Sequence, residues 1–186
     1  MSKPTYKFMY FGVRARGELC RMVLQAAGQD FEDVRITFEE WPKLKPCEYL
    51  STPTGVLPVL EINSDKLCQS MTIARYLAKE YKFYAESNME QALIDQVVDT
   101  VSDLMGTLIS WKLEGDATKK LSNFVFTYFG FQLTIADMAV YDVLVTLLKM
   151  DPKCLAKFPK LQANFKRVGE HPKLKKYLET RPDIDI

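Results

Sequence analysis

A proline stands inside the apolar run Thr54-Gly55-Val56-Leu57-Pro58-Val59-Leu60-Glu61-Ile62. Proline has no N–H to give to a strand ladder, so Pro58 and the residue before it belong at a turn or a sheet edge rather than in a central strand. Main-chain groups at such a place are open to a ligand. Shortly afterwards, Gln69-Ser70-Met71-Thr72-Ile73-Ala74-Arg75-Tyr76-Leu77 reads as the opening of a helix whose buried side is Ile73, Ala74 and Leu77, with Ser70 as its N-cap. The free N–H groups of a helix N-terminus favour a carboxylate. Together the two elements predict a peptide-binding edge beside an anion site.

The rest of the first half alternates strand and helix patterns. Lys7–Phe11 is an apolar, aromatic run of strand length. Leu19, Met22, Val23, Ala26 and Ala27 then recur at helical spacing, with Gly28 as a stop. Asp33–Thr37 reads as a second strand and Trp41–Pro53 as a proline-rich connection. Val59–Ile62 and Lys66–Cys68 form a hairpin around Asn63-Ser64-Asp65, followed by a helix over Met71–Tyr81. The order βαβ then ββα predicts a thioredoxin-like layout, one sheet with helices on its faces.

Beyond Tyr84 the strand signal fades, which places a boundary near Lys82–Asn88. Leu93, Val97, Val101, Leu104 and Leu108 mark one face of a long helix over Glu90–Lys112. Asp95, Asp99 and Asp103 lie four apart on another face, a row that reads as solvated, with a divalent cation between Asp95 and Asp99 as the alternative. Thr134-Ile135-Ala136-Asp137 has the form of a capping box with Asp in place of Glu, opening a core helix through Met138, Tyr141, Val145 and Leu148. Pro159–Val168 and Pro172–Leu178 are short helices that each begin with proline.

Composition narrows the classes of function. With 25 basic and 24 acidic side chains there is no global field to draw in nucleic acid or anionic lipid. No apolar run approaches the ~18 residues of a membrane span, and Met1-Ser2-Lys3-Pro4 leads into a strand rather than a signal peptide, so a cytoplasmic location is expected. Cys20, Cys47, Cys68 and Cys154 are too irregularly spaced for a zinc pattern or a disulfide framework. The only histidine is His171, which leaves no Ser-His or Cys-His pair and no histidine metal cluster. A small-molecule or protein partner remains, with no metal required.

Nearly the whole chain resembles the soluble glutathione transferases, most of all the sigma class with its prostaglandin D synthases and S-crystallins. The matching pieces, in order, are Tyr6-Lys7-Phe8-Met9-Tyr10-Phe11, Arg16-Gly17-Glu18-Leu19-Cys20-Arg21, Glu40-Trp41-Pro42-Lys43-Leu44-Lys45-Pro46, the Leu57-Pro58 and Gln69-Ser70 motifs, Lys176-Tyr177-Leu178 and Arg181-Pro182. The resemblance implies an α+β fold, with a thioredoxin-like glutathione-binding domain over residues 1–83 and an all-α domain over 84–186. That second domain is shorter than the family norm, by roughly 20 residues between Trp111 and Thr134, equivalent as helix to about 30 Å. A small insertion around Cys47–Pro53 lengthens the loop before Pro58.

The resemblance also assigns roles. Glutathione is the co-substrate, and its thiol, with a pKa near 8.5, is mostly protonated at neutral pH although the thiolate is the nucleophile. Tyr10 matches the catalytic tyrosine of the sigma class, which donates a hydrogen bond to sulfur, and Arg16 assists the thiolate or shapes the second-substrate pocket. Trp41 and Lys45 match the contacts to the glycyl carboxylate. Gly55, Val56 and Leu57 supply main-chain contacts to the cysteinyl portion, with Pro58 cis. Gln69 and Ser70 match the pair that holds the γ-glutamyl carboxylate. Asp103 corresponds to the acid that reaches across a homodimer to the partner's γ-glutamyl ammonium. The expected activity is conjugation of glutathione to a small hydrophobic electrophile, with prostaglandin isomerisation as a further activity of that class. The alternative is an S-crystallin-like structural or glutathione-binding protein with little turnover.

Overall fold

The computed structural model describes residues 4–45, 54–114, 133–182 and 184. The insertion around Cys47–Pro53 and most of the shortened stretch between Trp111 and Thr134 lie outside the described residues.

Four strands form a mixed sheet in the order β2-β1-β3-β4, made of β1 (Tyr6–Phe11), β2 (Glu32–Ile36), β3 (Val59–Ile62) and β4 (Asp65–Cys68). The β1 strand runs parallel to β2 and antiparallel to β3, and β3 and β4 form the antiparallel hairpin. The helix α1 (Glu18–Ala27) makes the crossover, and Gly28 ends it at φ 68°, where the left-handed region favours glycine. Its N–H and that of Gln29 close the last turn on Gln25 and Leu24. Strand alternation splits the core. Tyr6, Phe8 and Tyr10 face α1 and α3 (Ser70–Glu80), whereas Met9, Ile36, Val59 and Cys68 face the short α2 (Trp41–Leu44) through Trp41 and Leu44.

The remaining helices are α4 (Asn88–Glu114), α5 (Ile135–Met150), α6 (Pro159–Gly169) and α7 (Pro172–Thr180). Helix α5 is buried nearly all round, as a core helix must be, and the Thr134–Asp137 capping box opens it. The fold is α+β, with a thioredoxin-like sheet unit followed by helices alone.

Two expectations need correction. The stretch from Trp41 is not simply a connection, because α2 forms there. Thr37 and Glu40 exchange the two bonds of a capping box, Thr37 N–H to Glu40 Oε2 at 2.9 Å and Glu40 N–H to Thr37 Oγ1 at 3.1 Å. Asp95 and Asp99 are neither a purely solvated row nor a cation pair: both accept from the guanidinium of Arg75 on α3, and the Tyr84 hydroxyl also donates to Asp95. Among the described residues no group of three or more potential metal ligands stands together, and no helix is long and apolar enough to cross a membrane.

Candidate functional site

Strand register gathers the expected residues at one end of the sheet. Val59 pairs with Met9 on one side and with Cys68 on the other. Pro58, which precedes Val59, therefore lies between Tyr10, which follows Met9, and Gln69, which follows Cys68. Adjacent strands are about 4.8 Å apart, so these three residues occupy neighbouring lanes of one rim. The same rim receives the end of β2, where Phe11 pairs with Ile36 and the chain turns at Thr37 towards Trp41.

Each element presents backbone differently from an ordinary strand or helix end. The Leu57–Pro58 bond is cis, as expected. Gly55 sits at φ 65°, a left-handed conformation, with open space where a side chain would be. Val56 is exposed, and Leu57 packs against the cores on both faces of the sheet. The N-cap of α3 is Gln69 rather than Ser70. Gln69 is exposed and held at φ 74°, and its carbonyl accepts the Ile73 N–H at 2.9 Å, so the helix begins one residue earlier than the pattern of side chains indicates. No side chain caps it, and Ser70 is buried in the first turn. The orphan N–H groups of this terminus suit a carboxylate.

Tyr10 closes β1 and is 6% exposed. Burial raises its phenol above its ordinary value, against the lowering influence of the Arg16 backbone N–H and of the Arg16 and Arg21 guanidinium groups. The group is a neutral hydrogen-bond donor at physiological pH. Arg16 is exposed in a tight turn, Ala15–Gly17, whose Ala15 has φ 33°. From Tyr10 a run of rings leads outward: its ring meets Phe11 edge-on at 5.4 Å, and Phe11 stacks on the exposed Phe38 at 4.4 Å and meets Trp41 edge-on at 6.1 Å. Trp41 is half-buried, and Lys45 is exposed one helical turn later, its N–H on the Trp41 carbonyl at 2.8 Å.

The Cys20 thiol is no rival nucleophile. It is fully buried, is pushed up to about 12 by that burial, and donates to the Ser70 carbonyl at 3.4 Å. Asp103 is exposed on α4. Its neighbour Ser102 lines a cavity of about 20 Å³ with Arg16, Met71 and Asp142.

Sequence reasoning missed a buried charge network behind the turn. Arg14 is held by Asp142 and Thr146 of α5, while Glu18 takes Tyr177 and Arg181. Arg21 of α1 is 0% exposed and donates to Asp33 at 3.0 Å and to the carbonyls of Val13 and Phe11.

The family model for the N-terminal domain of glutathione S-transferase matches residues 6–79, and the one for the C-terminal domain matches residues 72–181. The probable glutathione S-transferase 7 of Caenorhabditis elegans is 35% identical over 204 residues, covering 95% of this chain and 97% of that protein. The hematopoietic prostaglandin D synthase of Gallus gallus is 34% identical, covering 98% and 100%, and S-crystallin 4 of Enteroctopus dofleini is 31% identical, covering 96% and 97%. Among solved structures, a glutathione S-transferase described as monomeric, Na-GST-3 of the hookworm Necator americanus, superposes with a TM-score of 0.84 at 33% identity, covering 98% of this chain and 100% of that one. The aligned stretch of 204 residues exceeds the 186 of this chain, as a shortened chain requires.

Proposed function

Because the chain belongs to the glutathione S-transferase family and is an enzyme of that family, we propose that Tyr10 activates the glutathione thiol at the sheet rim for attack on small hydrophobic electrophiles. Lowering a thiol pKa by about 2 units takes about 2.7 kcal/mol of preference for the thiolate. A neutral phenol that donates to sulfur, with the Arg16 cation beside it, is the arrangement that supplies such a preference. The observation that carries the reading is the register at Val59, which puts Tyr10, the cis-Pro58 turn and the uncapped start of α3 side by side.

In this reading the tripeptide lies along the rim. Its γ-glutamyl carboxylate meets Gln69, Ser70 and the N–H groups of α3, and its cysteinyl backbone pairs with the main chain of Gly55, Val56 and Leu57. Its glycyl carboxylate meets Trp41 and Lys45. The glutathione-binding domain spans residues 1–83 and the helical domain 84–186. Asp103 completes the site of a second copy in a two-fold homodimer, binding the γ-glutamyl ammonium there. The location is cytoplasmic and the role detoxification.

Retention on immobilised glutathione, with conjugation of a generic aryl halide, tests the reading. Tyr10→Phe removes the donated hydrogen bond and should lower kcat/KM by about a hundredfold, equal to about 2.7 kcal/mol, while the variant is still retained. Retention of the wild type without turnover would favour the crystallin-like role, and failure of the wild type to be retained would remove both.

A further inference from the structure

A buried cluster of charge stands between the turn after β1 and helices α5 and α7. Arg14 is 3% exposed, and its Nε and Nη2 both donate to Asp142 Oδ1, at 3.2 and 2.9 Å. Nη2 also reaches the Asp142 carbonyl at 2.8 Å and Thr146 Oγ1 at 3.1 Å. Asp142 and Thr146 are one turn apart on α5, so a single face of that helix receives the Nε and Nη2 edge of the guanidinium. Such a pair, out of water and doubly bonded, has one geometry rather than many.

The main chain of Arg14 anchors the turn. Its carbonyl accepts the N–H groups of Gly17 and Glu18, each at 3.1 Å, and its own N–H donates to the Ile184 carbonyl at 3.1 Å. The next residue, Ala15, has φ 33°, a conformation that residues with a side chain avoid and that persists only where the surroundings enforce it. Arg16 and Gly17 follow, the first a charge beside Tyr10 and the second in contact with its ring. Ala15 and Arg16 border the cavity of about 20 Å³, lined also by Asp142, with room for one water, into which the turn can relax if released.

We propose that Asp142, acting through Arg14, is a positioning residue for thiol activation, tethering the Ala15–Gly17 turn to α5 so that Arg16 and Gly17 hold Tyr10 against the bound sulfur. This rests on the reading of Tyr10 as the thiol-activating group. Helix α5 is a fitting post for the tether, since its own first turn is fixed by the Thr134 capping box and by Ile135 N–H to the Phe83 carbonyl at 3.0 Å.

Asp142→Asn keeps the shape and removes the charge. The readout is the titration of the thiol of bound glutathione, followed by the ultraviolet absorbance of its thiolate, beside KM for glutathione. The expected result is a rise of about one unit in the bound thiol pKa and a fall of about tenfold in kcat at neutral pH, with KM changed less than about twofold. A lowered melting temperature with an unmoved thiol titration would mean a structural role alone and overturn the proposal. Thr146→Val removes one bond to Arg14 at little cost to packing and should shift the thiol the same way by less. It decides the matter if Asp142→Asn does not fold, and a folded Thr146→Val with no shift counts against the tether. Tyr10→Phe separates the two ideas. If it leaves the bound thiol unmoved, the reading of Tyr10 fails and the tether with it. If it raises the thiol pKa while neither α5 variant does, only the tether fails.

Discussion

The ring of Tyr10 lies flat enough on the backbone of Gly17 that a Cβ built there would stand 2.7 Å from its Cγ and 3.0 Å from its Cε1, and closer still to Cδ1. The root of an aromatic ring cannot swing aside as the tip of a lysine can. The backbone at Gly17, φ −90° and ψ −23°, is one that alanine adopts readily, so Gly17→Ala introduces no strain of its own. Any effect must come through the ring. We expect the variant to fold and to lose about a hundredfold in kcat/KM, the scale of a 1 Å misplacement of a reacting group. Steady-state conjugation kinetics beside a thermal melt check this, and wild-type rates in Gly17→Ala would mean that Tyr10 is not held by this contact.

Acid should act on Asp142 in a direction opposite to that usual for a paired carboxylate. Burial pushes it up to about 6 from an ordinary 3.8, against the pull of Arg14 and Arg181 and with Glu18 adding to the rise. The groups facing it are Arg14 and Arg181, with Glu18 behind them bonded to Tyr177 and Arg181. Between about pH 4 and 6 the folded chain binds a proton here that the unfolded chain does not. Stability from this carboxyl therefore grows as pH falls from 7 towards 4 and is lost as pH rises through 6. Urea unfolding of wild type and Asp142→Asn at pH 7 and pH 5 isolates it, because all other titrations are shared. The wild type should gain on the variant at pH 5, and a gap that narrows would contradict the shift.

What could be read from the chain in advance was whatever local pattern specifies. Apolar runs of strand length give β1 and β3, three-and-four spacing gives α1 and α5, and Gly28 and Thr134 end or begin helices by chemistry confined to four residues. The rim was legible for the same reason, since Pro58 and the start of α3 are neighbours along the hairpin. Three features were not. Gln69 caps α3 because its backbone takes a positive φ, which no side chain announces. Thr37 and Glu40 had the spacing of a capping box, obscured by the prolines that follow. Arg14 and Asp142 are 128 residues apart, and a charged residue bears no mark in the sequence of being buried against another.

Arg75 joins α3 to α4 by bonding to Asp95 and Asp99. Both carboxylates are more than a third exposed, so solvent screens the pair and the interaction is small. Arg75→Met should cost about 1 kcal/mol in low salt and measurably less in about 0.5 M salt, where counterions screen these exposed charges. Chemical denaturation at the two ionic strengths gives both numbers. An equal loss at both would show that Arg75 matters through the packing of its stem instead.

Asp137 serves two purposes, and the variants that separate them differ in cost. It completes the capping box, accepting the Thr134 N–H at 2.8 Å and the Thr134 hydroxyl at 2.9 Å through Oδ2. Its other oxygen takes Asn164 at 2.8 Å and Arg167 of α6. Burial raises its carboxyl above the ordinary value, against the lowering effect of the Thr134, Arg167 and Asn164 contacts. Thr134→Ala removes only the cap hydroxyl and should cost about 1 kcal/mol. Asp137→Ala also deprives the buried Asn164 amide of its acceptor and releases α6 from α5, so a loss of about 3 kcal/mol or more is expected. Thermal and urea unfolding of the pair should rank them in that order. Near-equal losses would mean that the cap, not the link between α5 and α6, is what Asp137 contributes.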